Sequence, residues 1–273
     1  MRLGIFAKTF PGTDLASILS EVAAAGFDTA QYNFACSGLS AMPDRIPSEA
    51  AAAIARASTS AGVPLCAVSG TYNMAHPDPA VRADGLQRLE VIAGSCAAIG
   101  TRLVTLCTGT RDPDDQWRHH PDNGSSEAWR DMRAEMEKAV AVAMRHGIRL
   151  GIEPELANIV DSAAKARRLL DEMGSDRLAI VLDPANLFDK VDPSTQRRIV
   201  AEAIDLLGPD IAMGHAKDRA ADGAFATAGK GVLDYAHYLA CLRRAGFDGD
   251  LVAHGLAADE AKGVADFLRG HLQ

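Results

Sequence analysis

The feature that most limits the possible folds is a weak internal repeat. An alanine-rich helical segment ends at a glycine, and a short apolar run follows within a few residues. The unit occurs as AAAGFDTAQYNF (23–34), TSAGVPLCAVSG (59–70), AAIGTRLVTLC (97–107) and MRHGIRLGIEPE (144–155). It returns as EMGSDRLAIVLD (172–183), DLLGPDIAMGHAKD (205–218) and RRAGFDGDLVAHG (243–255). Glycine just past the last helical turn supplies the left-handed residue that closes a helix. The apolar run behind it is too short for a helix and suits a buried strand.

With the opening run Leu3–Phe6 the count reaches eight strands, each followed by a helical stretch. Those stretches are 14–27, 48–61, 79–98, 126–146, 161–173, 194–207, 232–245 and 257–270. Thr13 or Asp14, Ser48, Asp161 and Ser194 are candidate N-caps. Strands alternating with helices require a parallel sheet, and eight such units match a closed barrel. The expected fold is therefore α/β, a (β/α)8 TIM barrel forming a single domain over residues 1–273. A doubly wound sheet would need fewer units and would leave the polar strand ends unexplained. Three of the loops that follow strands, 70–79, 108–125 and 218–231, are longer than a barrel needs. Long loops in a compact domain serve as lids or binding loops.

Composition narrows the class. An apolar share of 48% in 273 residues allows a sizeable core. A net charge of −8 disfavours a nucleic-acid binder, which needs a basic footprint. The five cysteines form no CxxC pair, and most sit in apolar segments, where a thiol acts as a small hydrophobe. The N-terminal apolar run is too short for a signal peptide, and no run approaches the ~20 apolar residues of a membrane span. A soluble cytoplasmic protein with reduced thiols and no membrane contact is expected.

Four apolar runs end on metal-ligand types: Glu153, Asp183, His215 and His254. On the predicted barrel they follow strands 5 to 8 and share the face where active sites of such barrels lie. Two carboxylates and two imidazoles suit Mn2+, Fe2+, Co2+ or Zn2+, whereas Mg2+ prefers more oxygen and water. Singly, each residue is as readily a cap, a loop anchor or a core histidine; together they point to a metal. Glu155 has the same strand parity as Glu153, and the deeper Glu153 is the favoured ligand. Catalytic candidates are Glu153, Glu155 and Lys217, the last serving to screen an oxyanion or to pair with Asp218. Candidate polyol-binding residues are Tyr72, Asn73 and His76 after strand 3, and Thr108, Arg111, Trp117, His120 and Asn123 in the strand-4 loop. Gly229-Lys230-Gly231 lacks the spacing of a phosphate loop and is expected to be a turn.

These same segments, GIEPE, VLDPAN, GHAKD and AGFDGDLVAHGLAADEA, make the chain resemble the xylose isomerase-like superfamily of sugar phosphate isomerases and epimerases. The resemblance covers essentially the whole chain. In such enzymes a Glu, an Asp, a His and a Glu after strands 5 to 8 hold one divalent ion. Carried over, the first three are Glu153, Asp183 and His215. The chain departs from the pattern at His254, where the family has Glu, and at Asn186, where many members have His. The 3-epimerases of the group use the two glutamates as paired bases, so His254 lowers the ranking of simple 3-epimerisation.

The resemblance implies a metal-dependent isomerase or epimerase of a keto sugar or related polyol, working through an enediolate. Asn186 joins Asn73, His76, Thr108, Arg111, Trp117 and His120 as a substrate-binding candidate. One ion is expected, Mn2+ foremost, with Zn2+, Co2+, Fe2+ or Mg2+ as alternatives. A homo-oligomer is implied, since many relatives are dimers or tetramers. The runner-up is a lyase or dehydratase acting on a keto-sugar or inosose. An AP-endonuclease-like nuclease, which needs more histidines and a basic groove, and a non-catalytic sugar-binding barrel rank lower.

Overall fold

The computed structural model describes residues 1–272. Eight parallel strands, β1 (Arg2–Phe6), β2 (Thr29–Tyr32), β3 (Leu65–Ser69), β4 (Leu103–Leu106), β5 (Arg149–Ile152), β6 (Leu178–Leu182), β7 (Ile211–Ala216) and β8 (Asp250–Ala253), form one ring. The ring closes by β1 pairing with β8, Arg2 opposite Asp250 and Ile5 opposite Ala253. The chain is thus the single-domain (β/α)8 barrel that its repeat predicts.

Strand alternation divides the apolar side chains between two places. Leu150 and Ile152, Leu178, Ile180 and Leu182, and Leu251 and Ala253 face outward into the main core beneath the helices. Ala67, Val181, Met213 and Val252 form a second, smaller cluster inside the barrel. This is the period-two pattern that a barrel imposes on each strand. Two strands place glycine inside. A Cβ on Gly151 would lie 2.7 Å from Val181 Cγ2, and one on Gly4 would lie 2.9 Å from Thr29 Cγ2.

The helices are α1 (Leu15–Ala24), α2 (Ser48–Ala61), α3 (Pro79–Ile99), α4 (Ser126–His146), α5 (Ala163–Met173), α6 (Pro193–Leu207), α7 (Tyr235–Arg244) and α8 (Ala261–Leu272). Gly62, Gly100, Gly147 and Gly174 close α2 to α5 in the left-handed region. Gly208 differs: it stays right-handed at φ −45° and opens the 3-10 turn Gly208–Asp210. The expected caps hold only at Asp14, which accepts from the Ala16 amide. Pro47 precedes α2 without a side-chain cap, while Ser162 caps α5 and Asp192 caps α6. In both capped cases a neighbouring side chain reaches the free amides better than the expected one. No helix among the described residues is long and apolar enough to cross a membrane.

Candidate metal centre

Residue 153 follows β5, Asp183 follows β6, and His215 is the penultimate residue of β7. Their strands are neighbours in the ring, so inward-facing side chains at the carboxyl ends converge. One ligand atom from each of Glu153, Asp183 and His215 lies within 4.8 Å of the other two. His215 Nδ1 stands 3.2 Å from Glu153 Oε1 and 3.8 Å from Asp183 Oδ2. Asp183 Oδ1 accepts from the Ala185 amide, whereas its Oδ2 is buried and has no hydrogen-bond partner. A buried carboxylate oxygen without a donor is costly unless a cation completes it. The donor set fits a divalent ion: two carboxylates and one imidazole converge on one point.

The charges already compensate one another. Burial opposes ionisation of His215, but Glu153 and Asp183 reverse this and raise its pKa to about 9. Burial also opposes the Asp183 carboxylate; the His215 ring and the Lys217 charge outweigh it and hold the group below its usual range. Glu155 is pushed up to about 7, first by burial and then by the charge of Glu153.

His254 is not part of this three-residue cluster. Its ring stacks on Phe6 with centroids 5.3 Å apart and planes 4° from parallel, and lies 5.2 Å from the His215 ring. Burial, followed by the charge of His215, lowers it to about 4, and its buried Nδ1 has no partner. It is a neutral imidazole beside the cluster. Lys217 does not pair with Asp218. Its ammonium sits 3.2 Å above the Phe225 ring, a cation–π contact. Asp218 is occupied by the amides of Arg219, Gly229, Gly231 and Leu233, which it gathers into the loop after β7. Within that loop Asp218–Arg219 pairs with Phe225–Ala226 in a short antiparallel ladder that the sequence pattern does not announce. Gly229-Lys230-Gly231 is the turn it was expected to be, held in part by Asp218 and Glu260.

A cavity of about 260 Å3 opens above the cluster. Glu153, His215 and His254 line its floor with Gln31, Ser69 and Thr105, while Lys8, Met42, Gln116 and Trp117 stand among its walls. Glu155 and Lys217 are not among the lining residues. Gln31 is the residue that sequence reasoning missed. Its Oε1 lies 3.0 Å from His215 Nε2, and its amide nitrogen donates to Ser69 and Thr105, each at 3.3 Å. The available signal was a lone amide on the inward parity of an otherwise ordinary buried strand.

The polyol-binding candidates separate into two groups. Trp117 lines the cavity and is half exposed. Asn186 reaches it indirectly, donating from Nδ2 to Glu153 Oε1 at 2.9 Å. The other expected contacts are engaged in holding loops. Asn73 Oδ1 accepts from the Ala75 and Thr110 amides, and Thr108 Oγ1 accepts from the Val160 amide. Arg111 donates to the Ala75 carbonyl and to Asp131, and His76 Nε2 meets the Pro113 carbonyl. His120 accepts from the Asp122 amide, Asn123 Oδ1 accepts from Thr110 and the Arg111 amide, and Tyr72 donates to the buried Glu135. Buried loop backbone must have its polar groups satisfied, and these side chains do that.

Fold and site together define a TIM barrel whose carboxyl mouth gathers two carboxylates and an imidazole, a set that could hold a cation, beneath a polar cavity. A family model described as xylose isomerase-like TIM barrel matches residues 19–269, and the chain belongs to that family. Comparison with curated proteins finds no match. Among solved structures, 3-keto-D-glucoside 4-epimerase from E. coli is similar at 17% identity and a TM-score of 0.77, with 99% of each chain covered. L-ribulose 3-epimerase is similar at 18% identity and a TM-score of 0.78, covering 99% of this chain and 94% of that one. D-psicose 3-epimerase from Clostridium cellulolyticum H10, solved with D-tagatose, gives 15% identity and 0.77 with both chains fully covered. At these identities the likeness is one of fold.

Proposed function

We propose that this protein is a divalent-metal-dependent isomerase or epimerase of a keto sugar or related polyol. The observation that carries the reading is the convergence of Glu153, Asp183 and His215, with one Asp183 oxygen left without a donor, beneath the cavity at the barrel mouth. Relatives of similar fold named as ketose and keto-glucoside epimerases support it.

When bound, the ion supplies Lewis acidity toward a substrate carbonyl and its neighbouring hydroxyl. The other roles fall to the chain. Glu153 is the only carboxylate among the cavity-lining residues, which supports its Oε atoms as the base for the C–H proton beside that carbonyl. Asn186 donates to its Oε1 and fixes the carboxylate plane. Glu155, with a pKa of about 7, holds or releases a proton near neutrality behind Glu153. The Lys217 ammonium keeps positive charge beside the site. Trp117 offers an aromatic face at the cavity wall, a surface that suits the apolar side of a sugar.

A second reading is a lyase or dehydratase on the same class of substrate. The observation favouring it is His254, a neutral ring stacked on Phe6 where a two-carboxylate epimerase would place its second base. Elemental analysis followed by a mass-resolved screen of ketoses, inososes and 3-keto-glycosides in D2O separates the two. Isomerisation or epimerisation preserves mass apart from solvent deuterium at carbon, and elimination loses water. Activity is expected to disappear with a chelator and in E153Q; full turnover under chelation would remove the metal reading.

A further inference from the structure

We infer that Gln31 is a positioning residue for the metal centre: its side-chain carbonyl fixes which His215 nitrogen faces the carboxylates. The inference rests on the metal reading above. His215 is 1% exposed and has two nitrogens with different surroundings. Nδ1 faces Glu153 and Asp183, and Nε2 faces Gln31 Oε1 at 3.0 Å. A carbonyl oxygen has no proton to give, so the bond exists only when Nε2 carries the hydrogen. Nδ1 is then the nitrogen whose lone pair can meet an ion, and it is the one turned toward Asp183 Oδ2.

The other end of the amide is tied as well. Its nitrogen is held 3.3 Å from both the Ser69 and Thr105 hydroxyls, so the chain Ser69/Thr105–Gln31–His215 runs across the barrel mouth from β3 and β4 to β7. At 4% exposure, Gln31 gives water little chance to replace it. Partners of this kind orient a ligating imidazole and select its tautomer. Here the partner is neutral, so the ligand set keeps two negative charges against a divalent cation and gains no third.

The test is metal affinity rather than turnover. Mn2+ and Zn2+ are titrated into chelator-stripped wild type, Q31L, Q31E and the S69A/T105V double variant, in competition with a chromophoric chelator. Q31L, similar in volume but without an acceptor, is expected to bind ~10- to 100-fold more weakly. Q31E restores an acceptor and is expected to bind at least as tightly as wild type, a rescue that simple packing would not give. The double variant frees the amide without touching His215, is expected to lose affinity to a smaller degree, and carries the test if Q31L does not fold. Equal affinity in wild type and in a folded Q31L overturns the inference while leaving the metal reading intact. Wild type that binds neither ion overturns both.

Discussion

Arg111 and Trp117 stand close together in one long loop yet carry different burdens. Arg111 is buried, with one guanidinium nitrogen on the Ala75 carbonyl and another 2.7 Å from Asp131. R111A is expected to destabilise the fold by about 1.5–3 kcal/mol, the worth of hydrogen bonds to a charged group, as read by denaturant titration. Trp117 has no such duty and borders the cavity. W117A is expected to leave stability nearly unchanged and to raise KM about tenfold, ~1.4 kcal/mol, with kcat little altered. If R111A alone changed KM in a fully stable protein, the division would be wrong. Asp183 and His215 were legible from sequence because ligand types at strand ends have few structural reasons to gather. The loop residues were not. Asn73 and Thr108 have the chemistry of sugar ligands, and only the backbone geometry of a folded loop reveals that their atoms are already engaged.

At the level of the strand, the inside of the barrel is filled to the point where one methyl group matters. A Cβ on Gly151 would lie 2.7 Å from Val181 Cγ2 and 3.2 Å from Leu103 Cδ1, and Val181 is fully buried in the inner cluster. G151A is expected to cost ~1–3 kcal/mol by overpacking. V181A removes the obstructing methyl groups, so the double variant should be more stable than the sum of the single changes predicts, as neighbours in contact do not add. Strict additivity in chemical denaturation would show that β5 yields elsewhere. The elements themselves were readable because glycine closes the helices and each apolar run is too short to be another helix. Gly62, Gly100, Gly147 and Gly174 do what the repeat implies. Caps were less readable, since Ser162 and Asp192 each compete with an equally capable neighbour. The ladder of Asp218–Arg219 with Phe225–Ala226 escaped notice because two residues per strand leave no periodicity to detect.

For the molecule as a whole, the candidate metal centre joins parts of the chain that have no reason to meet before folding. Glu153, Asp183 and His215 belong to three successive strands separated by complete helices, so the unfolded chain offers no assembled site. Whatever free energy the ion gains by binding therefore adds to the stability of the whole barrel rather than to one loop. At a free concentration one hundred times the dissociation constant the gain is about 2.7 kcal/mol. For a chain of this length that corresponds to a rise in Tm of about 5 °C. The rise should grow with the logarithm of ion concentration, vanish with excess chelator, and be absent in D183A, which lacks the Asp183 oxygen left without a donor. H254A serves as the contrast, because His254 stands outside the cluster and should preserve most of the shift even where it lowers the baseline Tm. A D183A protein that still gained stability with the ion would place the cation somewhere other than the β5–β7 edge of the mouth.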